Sequence, residues 1–279
     1  MLNGIQYGFL LFLVASGLTL VFGIMDVINL AHGSFYMIGA YLTFWLTGIT
    51  DSLFFGVILS IPLAVALGLV VEKLAIAYLY TKGHLHQVLL TYALILIFDE
   101  AQRFLWGNDS HGVDIPAFLS GSIPLTDIQV YPVYRLFVSF ICILIGIGMF
   151  YIIQKTKLGM TIRAGASNRE MTQALGINIK TLFTVVFSLG VGLAAFAGMI
   201  AAPIDSLYPG MGDNILIISL VVVVIGGIGS IKGAFVGAML IGVSSIFGKT
   251  LFPDIASIIV YAMMSAILIW RPQGLFQSA

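Results

Sequence analysis

Nine apolar stretches punctuate the chain between its charged positions: 4–25, 30–49, 52–71, 87–106, 131–153, 181–202, 214–231, 233–250 and 255–270. A helix needs about 20 apolar residues to cross the hydrocarbon core of a bilayer. The pattern therefore predicts an all-α, polytopic transmembrane helix bundle, with eight or nine crossings. The last three stretches are short or glycine-rich, so some spans are expected to be broken or incomplete. Residues 1–279 form a single transmembrane domain, because the polar pieces, 107–130 and 154–180, leave no room for a separate catalytic domain. The first of these, with Gly107, Gly112, Pro116, Gly121 and Pro124, reads as an irregular loop. The N-terminus lacks a basic segment, and 4–25 is longer than the apolar core of a signal peptide, so it reads as a retained span.

Orientation follows the basic residues. Lys155, Lys157, Arg163, Arg169 and Lys180 place 154–180 in the cytoplasm. Alternation then puts Lys73, Lys82, Lys232 and Arg271 on the same side, and Arg103, Arg135 and Lys249 outside. Most acids fall outside with them: Asp51, Asp99, Glu100, Asp109, Asp114, Asp127, Asp205, Asp213 and Asp254. The expected topology has the N-terminus out and the C-terminus in.

Composition agrees with a lipid solvent. The chain is 60% hydrophobic and 9% charged, whereas soluble domains carry about 25% charged residues. The net charge of zero points to neither nucleic acid nor an acidic partner. Cys142 is the single cysteine, so no intrachain disulfide forms. His84 and His86 lack a nearby third ligand and read as part of a polar loop. Asp99 and Glu100 sit four and three residues before Arg103, the spacing of helix-surface ion pairs.

The run "GVSSIFGKT" (242–250) ends like a phosphate-binding loop, but Val243 stands where the first glycine belongs. The expected orientation also puts Lys249 at the external end of a span, where it reads as a lysine reaching for the interface.

Three polar segments are candidates for function. In "GIMDVINLAHGSFYMIGAY" (23–41), Asp26, Asn29, His32, Gly33 and Ser34 stand between two apolar runs. Two readings fit: a discontinuous helix lining a translocation path, or a short turn between two spans. In "VVVVIGGIGSIKGAFVGAMLIG" (221–242), Gly226, Gly227, Gly229 and Ser230 fit either a second broken helix or small-residue helix packing. Residues 32–42 and 232–242 align on glycine, phenylalanine and small residues, a sign of an internal repeat. The third segment is 157–184. Its stretch 161–175 reads as a short amphipathic helix with Ala164, Thr172 and Leu175 on one face and Gly176 as its stop. Such a helix fits the groove of a soluble partner, and a solvated loop fits as well.

Taken together these segments resemble the permease subunits of branched-chain amino acid ABC importers, the LivH type. The likeness runs through "TLVFGIMDVINLAHGSFYMIGAYL", "GMTIRAGASNREMTQALGINIKTLFTVVFSLGVGLAAFAGMIAAP" and "VVIGGIGSIKGAFVGAMLIG", in order and over nearly the whole chain. It implies a non-enzymatic transport subunit of a bacterial inner membrane. Arg163, Ala164, Asn168, Arg169, Glu170, Ala174, Leu175 and Gly176 would form the helix that rests on an ATPase. Asp26–Ser34 and Gly226–Ser230 would stand near the translocation path. The implied partners are a second related permease, two ATP-binding subunits and a periplasmic substrate-binding protein, with ATP and magnesium on the partners and no cofactor on this chain. The cargo would be a branched-chain amino acid, urea, a short amide or a small organic acid. A secondary transporter is the rival reading. It would place carboxylates or histidines at the membrane centre, where only Asp26 and His32 come close.

Overall fold

The computed structural model describes residues 1–80, 82–124 and 130–276; Asp127, read above as external, lies outside them. The chain is almost entirely helical, and each predicted apolar stretch falls on a helix. They are α1 (Leu2–Met25), α2 (His32–Thr50), α3 (Leu53–Val71), α5 (His84–Trp106), α6 (Val133–Lys155), α9 (Ile179–Ala201), α10 (Met211–Gly226), α11 (Ile231–Leu251) and α12 (Ala256–Trp270). A π-helical turn over Glu72–Ile76 and a short α4 (Ala77–Leu79) prolong α3. Among the described residues, six helices are long and apolar enough to cross a membrane, and α10 is a shorter apolar helix. Residues 107–124 are irregular apart from β1 (Ser122–Pro124), which pairs antiparallel with β2 (Val130–Pro132).

The bundle is apolar outside as well as inside. Phe104, Leu74, Ile147 and Ile258 are exposed on peripheral helices, as a lipid solvent allows. α1 lies at the centre, buried on nearly every side, against α11, α9, α10 and α6. Hydrogen bonds tie the loops together at each end. At the end rich in basic residues, Ile28 N–H donates to Gln87 and Leu275 N–H to the Ile225 carbonyl, at 3.4 and 2.8 Å. At the opposite end His111 and Leu207 exchange two backbone hydrogen bonds of 2.9 Å.

The two glycine-rich segments connect one helix to the next, α1 to α2 and α10 to α11. α1 runs 24 residues before Asp26 takes a left-handed backbone (φ 53°) and stops it; that length is about 36 Å, enough to cross the core unaided. Likewise α10 ends at Gly227 (φ 100°), and α11 starts after Ser230, whose hydroxyl caps Gly233 N–H. The irregularity that does occur within a helical run is the π turn. It carries Glu72, a buried carboxylate that accepts a hydrogen bond from the Tyr80 hydroxyl.

Depth is not uniform, however. His32, the first residue of α2, places Nε2 3.0 Å from the carbonyl of Val14 in the middle of α1. Val14 precedes Met25 by 11 residues, about 16 Å of helix. Residues 26–31 therefore fold back along α1, and α2 begins inside the bundle.

Helices without a hydrophobic drive between them associate through close packing at small residues. α2 and α9 cross this way: a Cβ on Gly198 would lie 2.0 Å from the Tyr36 carbonyl oxygen, and one on Gly39 2.1 Å from that of Ala195. Gly198→Val is expected to cost about 1–3 kcal/mol by overpacking and to lower the melting temperature of the detergent-purified protein. Gly148→Ala, where a Cβ meets no atom within 4 Å, should leave it unchanged. Equal melting of both variants would refute this account of the crossing.

Candidate functional site

A cleft of about 460 Å³ opens at the end opposite the basic loops. α1 contributes Tyr7, α2 Tyr36, α10 Met211 and Asn214, α11 Ser245 and Lys249, and the 202–210 connection Asp205 and Tyr208. Ile215, Ile218 and Val260 add an apolar wall. Lys249 stands over the Tyr7 ring, 6.0 Å from its centroid, and Asn214 donates to the Tyr208 hydroxyl at 2.9 Å. Burial raises the Asp205 carboxyl above the usual carboxylate value, while nearby Arg135 and Lys249 pull it back. The cleft thus offers one carboxylate, one ammonium, several hydroxyls and an aliphatic face. The GKT run lies within α11 rather than at a strand-to-helix loop. Its lysine faces this cleft, a finer placement than a lysine reaching for the interface.

The cleft floor is where α2 and α10 begin. A Cβ on Gly33 would lie 2.1 Å from the Gly212 carbonyl oxygen, and one on Gly212 2.7 Å from that of Gly33. Both positions accept only glycine at this spacing. Below the floor the interior is closed by buried polar groups. His32 is 0% exposed, Asn29 1% and Ser34 2%. Among the described residues the Asn29 amide and His32 Nδ1 have no hydrogen-bond partner. Val14, which meets His32, lies seven residues beyond Tyr7, hence nearly on the same face of α1 and about 10 Å deeper.

Of the predicted path residues, Asn29, His32, Gly33 and Ser34 lie beneath the cleft, and Asp26 is exposed at the basic end. Gly226, Gly227, Gly229 and Ser230 form the α10–α11 turn. There Gly227 meets the C-terminal segment at Phe276, Gly229 packs on Gly23, and none lines the cleft. Tyr7, Tyr36, Asp205, Tyr208 and Asn214 were missed. The polar run 205–214 between two apolar stretches was the available signal.

The predicted single helix over 161–175 is two helices, α7 (Lys157–Ser167) and α8 (Arg169–Ala174). Asn168 separates them: its backbone is extended, and its side-chain oxygen accepts from Met171 N–H at 2.9 Å, capping α8. Gly176, at φ 87°, ends α8 as expected. The expected common face of Ala164, Thr172 and Leu175 does not form, because the helix breaks between them. Thr172 is buried, while Ala164, Glu170, Ala174 and Leu175 are exposed. Two of the arginines turn toward the bundle. Arg163 donates to the Ile153 carbonyl at the end of α6. Arg169 donates to the Ile24 carbonyl in the last turn of α1, at 3.2 Å, and lies over the Phe183 ring. The Glu100–Arg103 pair forms at 3.3 Å; none forms with Asp99 among the described residues.

The family described as "Branched-chain amino acid transport system / permease component" matches residues 1–268. The high-affinity branched-chain amino acid transport system permease protein BraD of Pseudomonas aeruginosa is 29% identical over 99% of this chain and 94% of its own length. LivH of Escherichia coli K12, with the same description, is 27% identical over 99% and 94%. A probable LivH of Methanocaldococcus jannaschii is 28% identical over 98% and 90%. No solved structure matches the chain. A chain of this composition, matched from its first residue nearly to its last, is a multi-pass membrane protein and belongs to the family of permease components of branched-chain amino acid transport systems.

Proposed function

We propose that this ABC-importer permease forms half of a conduit for a branched-chain amino acid or a related small polar solute. It crosses a bacterial inner membrane nine times, with the N-terminus outside and the C-terminus in the cytoplasm. A second related permease supplies the other half, a periplasmic binding protein delivers the solute, and two ATP-binding subunits carry ATP and magnesium. The observation that carries the reading is the cleft: Asp205 and Lys249 stand beside an aliphatic wall, above the closed interior at His32. An α-amino acid has one ammonium, one carboxylate and here an apolar side chain. The ammonium faces Asp205. The carboxylate faces Lys249. The relatives' described cargo is of this chemistry.

The closed interior below the cleft is the gate. Its buried, unpartnered Asn29 and His32 atoms cost free energy when dry and gain water when the path opens. Gly33 packed on Gly212 lets α2 and α10 slide without a side chain between them.

The exposed surface of α8 is the seat of the ATPase. Met171 and Leu175 are 60% and 75% exposed, Glu170 stands beside them in the first turn, and Gly176 allows the sharp exit into α9. Arg163 and Arg169 act as struts. Their guanidinium groups join α7 and α8 to the last carbonyls of α6 and α1, so a push on α8 reaches the central helix. ATP supplies the bias between two packings of the bundle.

Asp205→Asn and Lys249→Ala are each expected to slow solute uptake by the reconstituted transporter about ten-fold, the loss of one charge-assisted contact. ATP affinity should not change. Full uptake in both variants would remove the cleft from the path. Arg169→Ala and Glu170→Lys are expected to leave membrane insertion intact and to uncouple hydrolysis from uptake. Coupling ratios measured from phosphate release and radiolabelled solute would decide this, and wild-type ratios would contradict the strut.

A further inference from the structure

On the far side of α1 from the solute cleft, an apolar groove of about 670 Å³ runs between α1, α6 and α11. Phe12 and Phe235 meet edge to face in its wall, 5.3 Å between centroids. Gly146 on α6 keeps it open: a Cβ there would lie 3.0 Å from Phe12 Cε1. Toward the basic end the groove passes into a polar cleft of about 490 Å³, whose walls include Arg163, Ser167, Ser230 and Lys232. Phe150, Ile231, Lys232 and Phe276 line both, so the two are one continuous surface.

This surface is not the inner mouth of the conduit. At about 100° per residue, Phe12, Thr19 and Gly23 lie roughly 120–160° around α1 from Tyr7. Its chemistry also differs. Among the described residues no acidic side chain lines either part. The ion pair among the described residues is Arg103–Glu100, and among these residues neither Arg163 nor Lys232 has a carboxylate partner. A second permease helix would be expected to dock on small residues that let backbones approach. This groove is instead walled by Phe9, Phe12, Phe150 and Phe235, a shape for a flexible chain. Hydroxyls and cations stand at the helix ends, where lipid head groups lie.

We propose that this surface holds one acidic phospholipid, with its phosphate between Arg163 and Lys232 and an acyl chain along Phe12 and Phe235. The inference rests on membrane residence and not on the cargo. Acyl chains gain little by exchanging one apolar neighbour for another. Selectivity for an acidic head group therefore rests on the two cations, each worth about five-fold in affinity. A lipid seated here bridges α7 to the start of α11.

The test is native mass spectrometry of the full-length chain, delipidated and purified with the subunits that accompany it. Phosphatidylglycerol, phosphatidylcholine and soluble glycerol phosphate are titrated in turn. Phosphatidylglycerol is expected to bind tightest. Lys232→Ala should weaken it about five-fold, Lys232→Arg should restore it, and phosphatidylcholine should not respond. A phosphatidylglycerol with a photoreactive acyl chain should label peptides containing 143–150 and 235–236. Equal affinity for the two lipids, or no response to Lys232→Ala, would overturn the proposal. So would glycerol phosphate binding as tightly as the lipid, which would mean a head-group site without a chain. Labelling elsewhere, or crosslinks from these helices to a second permease, would show that the groove is not a lipid seat.

Discussion

Lipid gives the helices of this protein no hydrophobic reason to associate, so the bundle depends on backbone meeting backbone at glycine. Gly17 packs against Gly190, Gly8 against Gly242, Gly39 against Ala195 and Gly198 against Tyr36. These contacts hold α1 at the centre, with α9 and α11 beside it. They also let α2 start at the level of Val14, halfway along α1. A methyl group at several of these positions would force helices apart, and the cleft walls would separate with them.

From that packing comes a division of labour around one helix. One face of α1 carries Tyr7 toward the polar cleft and Val14 toward His32. Another carries Phe9 and Phe12 into an apolar groove that ends at Lys232. α2 and α10 start where the first of these surfaces closes, and Gly33 and Gly212 let them touch. Polar side chains stay inside at that level because the neighbouring helices screen them from lipid, which is the condition for keeping them at membrane depth.

At the basic end the piece from α7 to α8 is built to be stiff. Asn168 breaks one amphipathic run into α7 and α8 and caps the second. Buried Thr172 anchors α8, while Met171 and Leu175 are left exposed. The arginines that positive-inside counting treats as solvated charges are partly structural. Arg169 reaches the end of α1 and Arg163 the end of α6, where carbonyls at helix C-termini favour a cation.

The helices follow from the amino-acid pattern, because length and apolarity alone decide what a bilayer admits. The predicted stretches end within a few residues of the observed helices, apart from the extension of α3 to Leu79 and the stretch 214–231, which runs past the end of α10 at Gly226 to the start of α11. The stop at Gly176 was equally legible, since a left-handed residue after a short helix calls for glycine. Which polar residues meet depends on how the helices pack. Asp205 and Lys249 are 44 positions apart, and nothing local marks them as neighbours of Tyr7. The folded chain also shows that Asn168 splits the helix expected over 161–175 and that residues 26–31 fold back into the interior. Local pattern reports which solvent each residue tolerates. Which helix faces which, and at what depth a helix begins, depends on close contacts between distant glycines.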